Sequence, residues 1–98
     1  MQDLRSELAE ALDEAEWEWL IPHVKRDIVI FVTADLDLLD VAVAFASDDT
    51  LSVQDWIGKQ QLHKPFAEQL TAWNSDKTIR FQALIVQPYV LVKELVAD

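Results

Sequence analysis

The 98-residue chain contains no cysteine and only one glycine. Without cysteine it can have no disulfide scaffold, no thiolate-bound metal or iron–sulfur centre, and no cysteine nucleophile. The lone Gly58 also excludes the glycine-rich loops that hold phosphates or dinucleotides, because such loops need several glycines. Basic residues are scarce as well: 8 lysines and arginines face 18 aspartates and glutamates, and the resulting net charge of −10 disfavours binding to nucleic acid.

Long apolar stretches are missing too. The longest candidate, residues 83–92, is interrupted by Gln87 and Pro88 and falls short of the roughly 18 residues that span a bilayer. The chain is acidic from Asp3 onward, unlike a secretory signal, which starts basic and continues into an apolar stretch. We therefore expect a cytosolic protein without a membrane partner.

The composition that remains is typical of one globular domain spanning residues 1–98. Hydrophobic residues make up 51% of the chain and charged residues 27%, which separates it from disordered segments. A chain of this length can bury a substantial core without the help of disulfides or metals.

The first twenty residues have a helical period. A single amphipathic helix is predicted to begin after a cap at Asp3 and to end or kink before Pro22. This segment holds 7 acidic residues and one basic residue, so it carries −6 of the total charge of −10. The residues of its apolar stripe recur at steps of three or four: Leu4, Leu8, Leu12, Ala15 and Trp19.

The rest of the chain contains both strand and helix patterns. The β-branched run 28–33 predicts a buried strand, and the alternation of large and small residues over 41–46 predicts a second, although its alanines also permit a helix. Helical spacing over 51–57 and 66–73 predicts two helices, and 79–93 predicts a long strand broken or bulged at its proline. The predicted order is α-β-β-α-α-β. This order indicates an α+β fold, with a small, mainly antiparallel sheet and helices packed on one face.

A family resemblance is carried by five segments: LDEAEWEWLIPH (12–23), LDLLDV (36–41), VQDWI (53–57), Lys64-Pro65 and ALIVQPYVLV (83–92). Together they resemble a family of small bacterial proteins, common in photosynthetic bacteria, that is classed as a domain of unknown function. The likeness covers nearly the whole chain. It implies no activity, cofactor or catalytic residue, so the side chains must carry any functional argument.

Three aspartates form one candidate site. Asp35, Asp37 and Asp40 follow the first predicted strand and could supply the oxygen ligands that Mg²⁺ or Ca²⁺ prefers. A divalent-metal-dependent enzyme or sensor, with His23 or His63 as a base, is therefore the alternative functional hypothesis. The simpler interpretation is that these aspartates are turn and cap residues, because the glycine and the closing glutamate of a calcium loop are absent.

Two neighbouring tryptophans form a second candidate site. In one continuous helix Trp17 lies about 160° from Trp19, so one of the two must leave the core. With Trp19 assigned to the apolar stripe, Trp17 lies beside Glu14 and Glu18 and is expected either to anchor an interface or to fold as a lid over the turn at Pro22.

The leading hypothesis is a non-catalytic protein that acts by association with itself or with another protein, without a cofactor. Its expected interaction residues are Trp17 with Glu14 and Glu18, together with the strand containing Phe81 and Tyr89, whose edge could pair across a homodimer. The acidic segment would favour a basic partner, although it could equally serve only as a solvated surface. A third possibility, mimicry of nucleic acid, would need a longer acidic face than this segment provides.

Overall fold

The computed structural model describes residues 3–76 and 78–95, and this part of the chain contains five helices and five strands. In chain order they are α1 (Leu4–Ala11), β1 (Asp13–Glu16), α2 (Trp17–Lys25), β2 (Val29–Val32), α3 (Leu38–Ala46), α4 (Thr50–Gly58), β3 (Leu62–His63), α5 (Ala67–Ser75), β4 (Arg80–Val86) and β5 (Tyr89–Glu94). None of these helices has the length and apolar character needed to cross a bilayer.

The five strands form one sheet in the order β1-β4-β5-β2-β3. Three of the neighbouring pairs are antiparallel, and β2 with β5 is parallel. The α+β class and the mainly antiparallel sheet predicted from the sequence are therefore confirmed. β5 is the middle strand, and β1 and β3 are the two edges.

Helices pack on both faces of the sheet, whereas the sequence analysis expected them on one. α2 and α5 cover the face that contains Phe81 and Val92, and α1, α3 and α4 cover the face that contains Leu84 and Leu91. The reason is that the inner strands are apolar at consecutive positions, so both of their faces need cover from water. Val90, Leu91 and Val92 in β5 are all buried.

The core under α2 and α5 is built around Trp73. Its ring centroid lies 5.5 Å from that of Trp17, 5.7 Å from that of Phe31 and 5.0 Å from that of Phe81. The Trp73 Nε1–H donates to Glu94 Oε1 at 2.6 Å. A buried indole needs such a partner for its N–H, so this bond removes the main cost of placing Trp73 in the core.

The prediction of one helix over the first twenty residues is wrong. The chain forms α1, then the edge strand β1, then α2, with Pro22 inside α2. Ala15 pairs with Phe81 and is buried, so sheet pairing outweighs the helical tendency of this segment. Because Pro22 has no N–H, it cannot donate the helical hydrogen bond to the Glu18 carbonyl. Both residues are exposed, so water can donate to that carbonyl instead.

The predicted second strand, 41–46, is also wrong, because this segment is the larger part of α3. The helix is capped by Asp37, whose Oδ1 accepts from the Leu39 N–H at 3.1 Å. Leu38, Val41 and Ala42 are buried one helical turn apart against the sheet. Alanine fits a tight helix–sheet contact as well as a strand, so the large–small alternation did not distinguish the two.

Residues 79–93 form a hairpin and not one interrupted strand. β4 and β5 pair antiparallel from Phe81 opposite Glu94 to Val86 opposite Tyr89, and the turn contains a cis Gln87–Pro88 bond. Both strands lie inside the sheet. β1 covers β4 from Arg80 to Ala83 and β2 covers β5 from Val90 to Val92, so the run from Phe81 to Val92 offers no continuous edge for the expected pairing across a dimer.

Candidate functional site

β1 presents an open sheet edge. Among the described residues only β4 pairs with it, so its outer side has no strand partner. The Glu14 N–H donates to Asp13 Oδ1 at 2.8 Å, which satisfies one backbone donor of the strand locally. Proteins usually protect such edges by keeping them short and charged, and β1 has four residues, three of them acidic.

An open depression of about 720 Å³ lies along this edge. Two exposed apolar side chains contribute to it, Trp19 from α2 and Ile85 from β4, with 43% and 49% of their surfaces accessible. Large apolar groups with this exposure are typical of contact surfaces when they lie together in a concave site. The charged residues of the same lining are Asp13, Glu14, Glu16, Glu18 and Arg80.

We call β1 and the lining of this depression the acidic edge, because most of its charged side chains are negative. Arg80 Nη1 lies 3.4 Å from Glu16 Oε1 and 3.9 Å from Glu14 Oε1. The lining holds one guanidinium and four carboxylates, which leaves an excess of three negative charges. A surface of this kind attracts cations and basic segments from a distance and repels other acidic surfaces.

The two tryptophans exchange the roles expected from the sequence. Trp17 is 5% exposed, and its Nε1–H donates to Asn74 Oδ1 at 2.7 Å, so it is a core residue and neither an anchor nor a lid. Trp19 is the exposed one, with its ring centroid 4.7 Å from that of His23. One of the two tryptophans does leave the core, as expected. It is Trp19 and not Trp17, because β1 interrupts the predicted helix and a new helix, with a different buried face, begins at Trp17.

The other predicted interaction residues are not brought together. Glu14 and Glu18 are exposed and line the acidic edge, whereas Phe81 is fully buried. Tyr89 is exposed at the far end of the hairpin, edge-on to Phe45 with ring centroids 5.7 Å apart. It lines a different depression, which does not include Glu14 or Glu18.

Sequence reasoning missed Trp19, Arg80 and Ile85 as members of this site. A signal for Trp19 was present, because in a helix beginning at Trp17 the positions of Trp17, Leu20 and Val24 form one apolar stripe and leave Trp19 outside it. No comparable signal existed for Arg80 and Ile85, whose place depends on the pairing of β4 with β1.

Asp35, the first of the three candidate metal ligands, is held by its neighbours. Thr33 Oγ1 donates to its Oδ1 at 2.5 Å and Gln61 Nε2 donates to its Oδ2 at 2.9 Å. These two hydrogen bonds lower the pKa of Asp35, with the Thr33 bond as the larger cause. The Asp35 carboxylate therefore links Thr33, which follows β2, to Gln61, which precedes β3.

Asp37 and Asp40 are paired with a cation of the protein itself. Arg5 donates to Asp37 Oδ2 at 3.1 Å and to Asp40 Oδ1 at 2.5 Å, which links α1 to the start of α3. In residues 3–76 and 78–95, no three histidine, aspartate or glutamate side chains are grouped so that they could hold a metal ion. The structure thus gives the three aspartates cap and bridge roles and does not assemble them as a cation site.

Neither histidine lines the acidic edge. His63 lies between Phe31 and Phe66, and its Nδ1–H donates to the Lys64 carbonyl at 2.8 Å. His23 packs on Trp19, and its Nδ1 is buried without a hydrogen-bond partner in the described part of the chain. The structure does not place either ring beside the three aspartates as their general base.

Comparison with known proteins places the chain in a family without assigning it an activity. No curated protein matches it. A solution NMR structure of PA1075 from Pseudomonas aeruginosa is similar, with a TM-score of 0.82 and 27% sequence identity over 99% of this chain and 89% of that one. The family described as "Protein of unknown function (DUF2288)" matches residues 3–94, and the chain belongs to this family.

Proposed function

We propose that the protein is a non-catalytic, cytosolic binding protein, and that its partner is another protein with an exposed, basic, extended segment. The segment adds to the outer side of β1 as a sixth strand. The observation that carries this proposal is the open β1 edge beside the exposed Trp19 and Ile85.

Strand pairing would let the two faces of the edge recognise different side chains. Asp13 and Ala15 share the sheet face of Phe81, which is the face of α2 and Trp19, and Glu14 and Glu16 share the opposite face. Because successive residues of an added strand point to opposite faces, an alternating segment fits best. Its apolar residues would contact Trp19 and its basic residues would meet Glu14 and Glu16.

The charge of the edge favours a foreign partner over a second copy of the chain. Pairing two β1 strands would place the carboxylates of Asp13, Glu14 and Glu16 against the same groups of the other copy. Like charges opposite each other destabilise a strand pair. The second open edge, β3, has only two residues and offers little backbone to pair with.

The experiment compares two synthetic peptides of equal charge, one alternating lysine and valine and the other with the same sequence but a methyl group on every backbone nitrogen. Binding is followed by amide chemical shifts and by fluorescence anisotropy. The lysine–valine peptide should bind saturably, shift the β1 amides and weaken with added salt. The N-methylated peptide has no backbone N–H to donate to a strand ladder and should bind much less well. Equal binding of the two would refute strand addition.

Variants separate the apolar and electrostatic contributions. Trp19→Ala should weaken peptide binding by about fivefold or more, since aromatic anchors dominate such contacts. Glu18→Gln should weaken it by about two- to threefold and reduce its salt dependence. The matched controls are Leu51→Ala and Glu68→Gln, which change an exposed apolar and an exposed acidic residue away from the edge and should bind like the unmodified protein. Loss of binding in the controls would contradict the assignment.

A further inference from the structure

The depression that Tyr89 lines has a volume of about 570 Å³ and lies between the β4–β5 hairpin and the connection from α3 to α4. We call it the hairpin groove. A smaller depression of about 410 Å³, lined also by Leu62, adjoins it. Both volumes fall within the range of small-molecule sites. The apolar side chains that line both depressions are Ile30 of β2, Phe45 of α3 and Ile57 of α4.

Two aromatic rings form a corner in the hairpin groove. The rings of Phe45 and Tyr89 meet edge to face at an angle of 85°, with their centroids 5.7 Å apart. Phe45 is half-buried and Tyr89 is exposed, so part of this corner is open to solvent. The face of an aromatic ring carries partial negative charge, and sites for quaternary ammonium groups are built from such rings. The corner therefore suits an organic cation.

The charges of the hairpin groove also favour a cation. Its lining holds one ammonium and three carboxylates: Lys64, Asp27, Asp48 and Asp49. Lys64 Nζ donates to Asp27 Oδ2 at 2.5 Å, so these two charges cancel and an excess of two negative charges remains. Asp49 accepts from the amide and the hydroxyl of Ser52. In residues 3–76 and 78–95, no hydrogen bond or ion pair engages the Asp48 carboxylate, which leaves it open to a cationic ligand.

From this combination we propose that the hairpin groove binds a small amphipathic organic cation, an ammonium group on an apolar body. The ammonium lies in the corner of Phe45 and Tyr89 and faces the Asp48 carboxylate. The apolar body lies over Ile30 and Ile57, toward the adjoining depression. Ile57 is exposed, so the ligand buries apolar surface that is otherwise in water. The hairpin groove shares no lining residue with the acidic edge, so this proposal and strand addition at β1 can fail independently.

The test uses three probes that share a hexyl chain: hexyltrimethylammonium, hexanol and hexanoate. Each is titrated into the full chain at constant ionic strength, with amide and methyl chemical shifts as the readout. Hexyltrimethylammonium should bind saturably and shift Ile30, Phe45 and Tyr89. Hexanol should bind about three- to tenfold less tightly, because it lacks the contacts of the cation with the rings and with Asp48. Hexanoate should bind weakest, because the excess charge of the groove repels it.

Two variants test the contacts of the ammonium group. Asp48→Asn keeps the shape of the side chain, and asparagine tolerates the φ of 57° at this position, so the fold should be retained. It should weaken hexyltrimethylammonium binding about two- to fivefold and leave hexanol binding unchanged. Tyr89→Leu keeps an apolar side chain but removes the ring. It should weaken hexyltrimethylammonium binding about threefold and change hexanol binding by less than about twofold.

Matched controls lie outside the hairpin groove. Asp55→Asn changes an exposed carboxylate and Trp19→Leu an exposed aromatic ring, and both variants should bind hexyltrimethylammonium like the unmodified chain. Equal binding of hexanoate and hexyltrimethylammonium, or no effect of either Asp48→Asn or Tyr89→Leu, overturns the cation assignment. Saturable shifts around Trp19 in place of Tyr89, or no saturable shifts at all, overturn the site.

Discussion

Replacing each tryptophan of α2 by alanine in turn should give two clearly different losses of stability. Trp17 is 5% exposed and packs on Trp73, while Trp19 is 43% exposed at the acidic edge. The two residues are two positions apart in the same helix, so differences in helix propensity largely cancel. The comparison therefore reports on burial.

The expected magnitudes follow from the area that each side chain hides from water. A buried tryptophan removes roughly 200 Å² from solvent, and at about 25 cal/mol per Å² the transfer term is about 5 kcal/mol for Trp17 and about 3 kcal/mol for Trp19. Compactness of the unfolded chain lowers both values. Trp17→Ala also leaves a cavity in the core, whereas the exposed site of Trp19 can collapse. We expect Trp17→Ala to cost at least about 2 kcal/mol more than Trp19→Ala.

The measurement is urea denaturation followed by far-ultraviolet circular dichroism, which does not depend on tryptophan fluorescence. A domain of this size has only about 5–15 kcal/mol of total stability, so Trp17→Ala can fail to fold. Trp17→Phe is therefore included. It loses the hydrogen bond to Asn74 and part of the ring, and it should cost about 1–2 kcal/mol. Equal losses for Trp17→Ala and Trp19→Ala, or a larger loss for Trp19→Ala, would show that the burial assignment is incorrect.

Three further predictions concern other parts of the fold. Phe81→Ala should cost about 3–5 kcal/mol in denaturant unfolding, as expected for a core residue, and an altered oligomeric state with unchanged stability would contradict this. Gln60→Gly should raise the free energy of unfolding by up to about 1 kcal/mol, because Gln60 has φ 63°, a region that only glycine adopts freely; a loss of stability would argue against it. The Ser52 hydroxyl and amide hold the pKa of Asp49 below its usual 3.8, so this carboxylate stabilises the native state above that pH and the stabilisation is lost as the pH falls through the lowered value. When thermal unfolding is measured at decreasing pH, the melting temperature of the unmodified protein should fall more than that of Asp49→Ala. Equal falls in the two melting temperatures would refute this link between protonation and stability.

Features of the fold that depend on local pattern could be predicted from the sequence. The strand at 28–33, the helix over 51–57 and the helix after Pro65 appear in the structure with shifts of a few residues. Elements that depend on a distant partner could not. Asp13–Glu16 is helical by composition and becomes a strand only because β4 lies beside it, and 41–46 packs as a helix because the sheet beneath it accepts alanine.

The candidate sites, too, could be predicted from the sequence only where they depend on local pattern. Acidic character near the start of the chain was visible in the sequence, and Glu14 and Glu18 do line the acidic edge. Which tryptophan joins them depends on where the helix begins, and a helix that begins at Trp17 and not after Asp3 exchanges the roles of Trp17 and Trp19. The depression lined by Ile30, Phe45, Ile57 and Leu62 draws on β2, α3, α4 and β3, so no stretch of sequence could reveal it before the chain was folded.

The position of β5 has a consequence for synthesis of the protein. This strand is the last of the described elements, yet it lies between β4 and β2 and joins the two halves of the sheet. A nascent chain that has reached the end of β4 has its helices but no completed sheet, so apolar faces such as that of β2 stay open until the final strand leaves the ribosome. Termination before residue 94 should therefore yield an aggregation-prone product and not a slightly shorter folded protein.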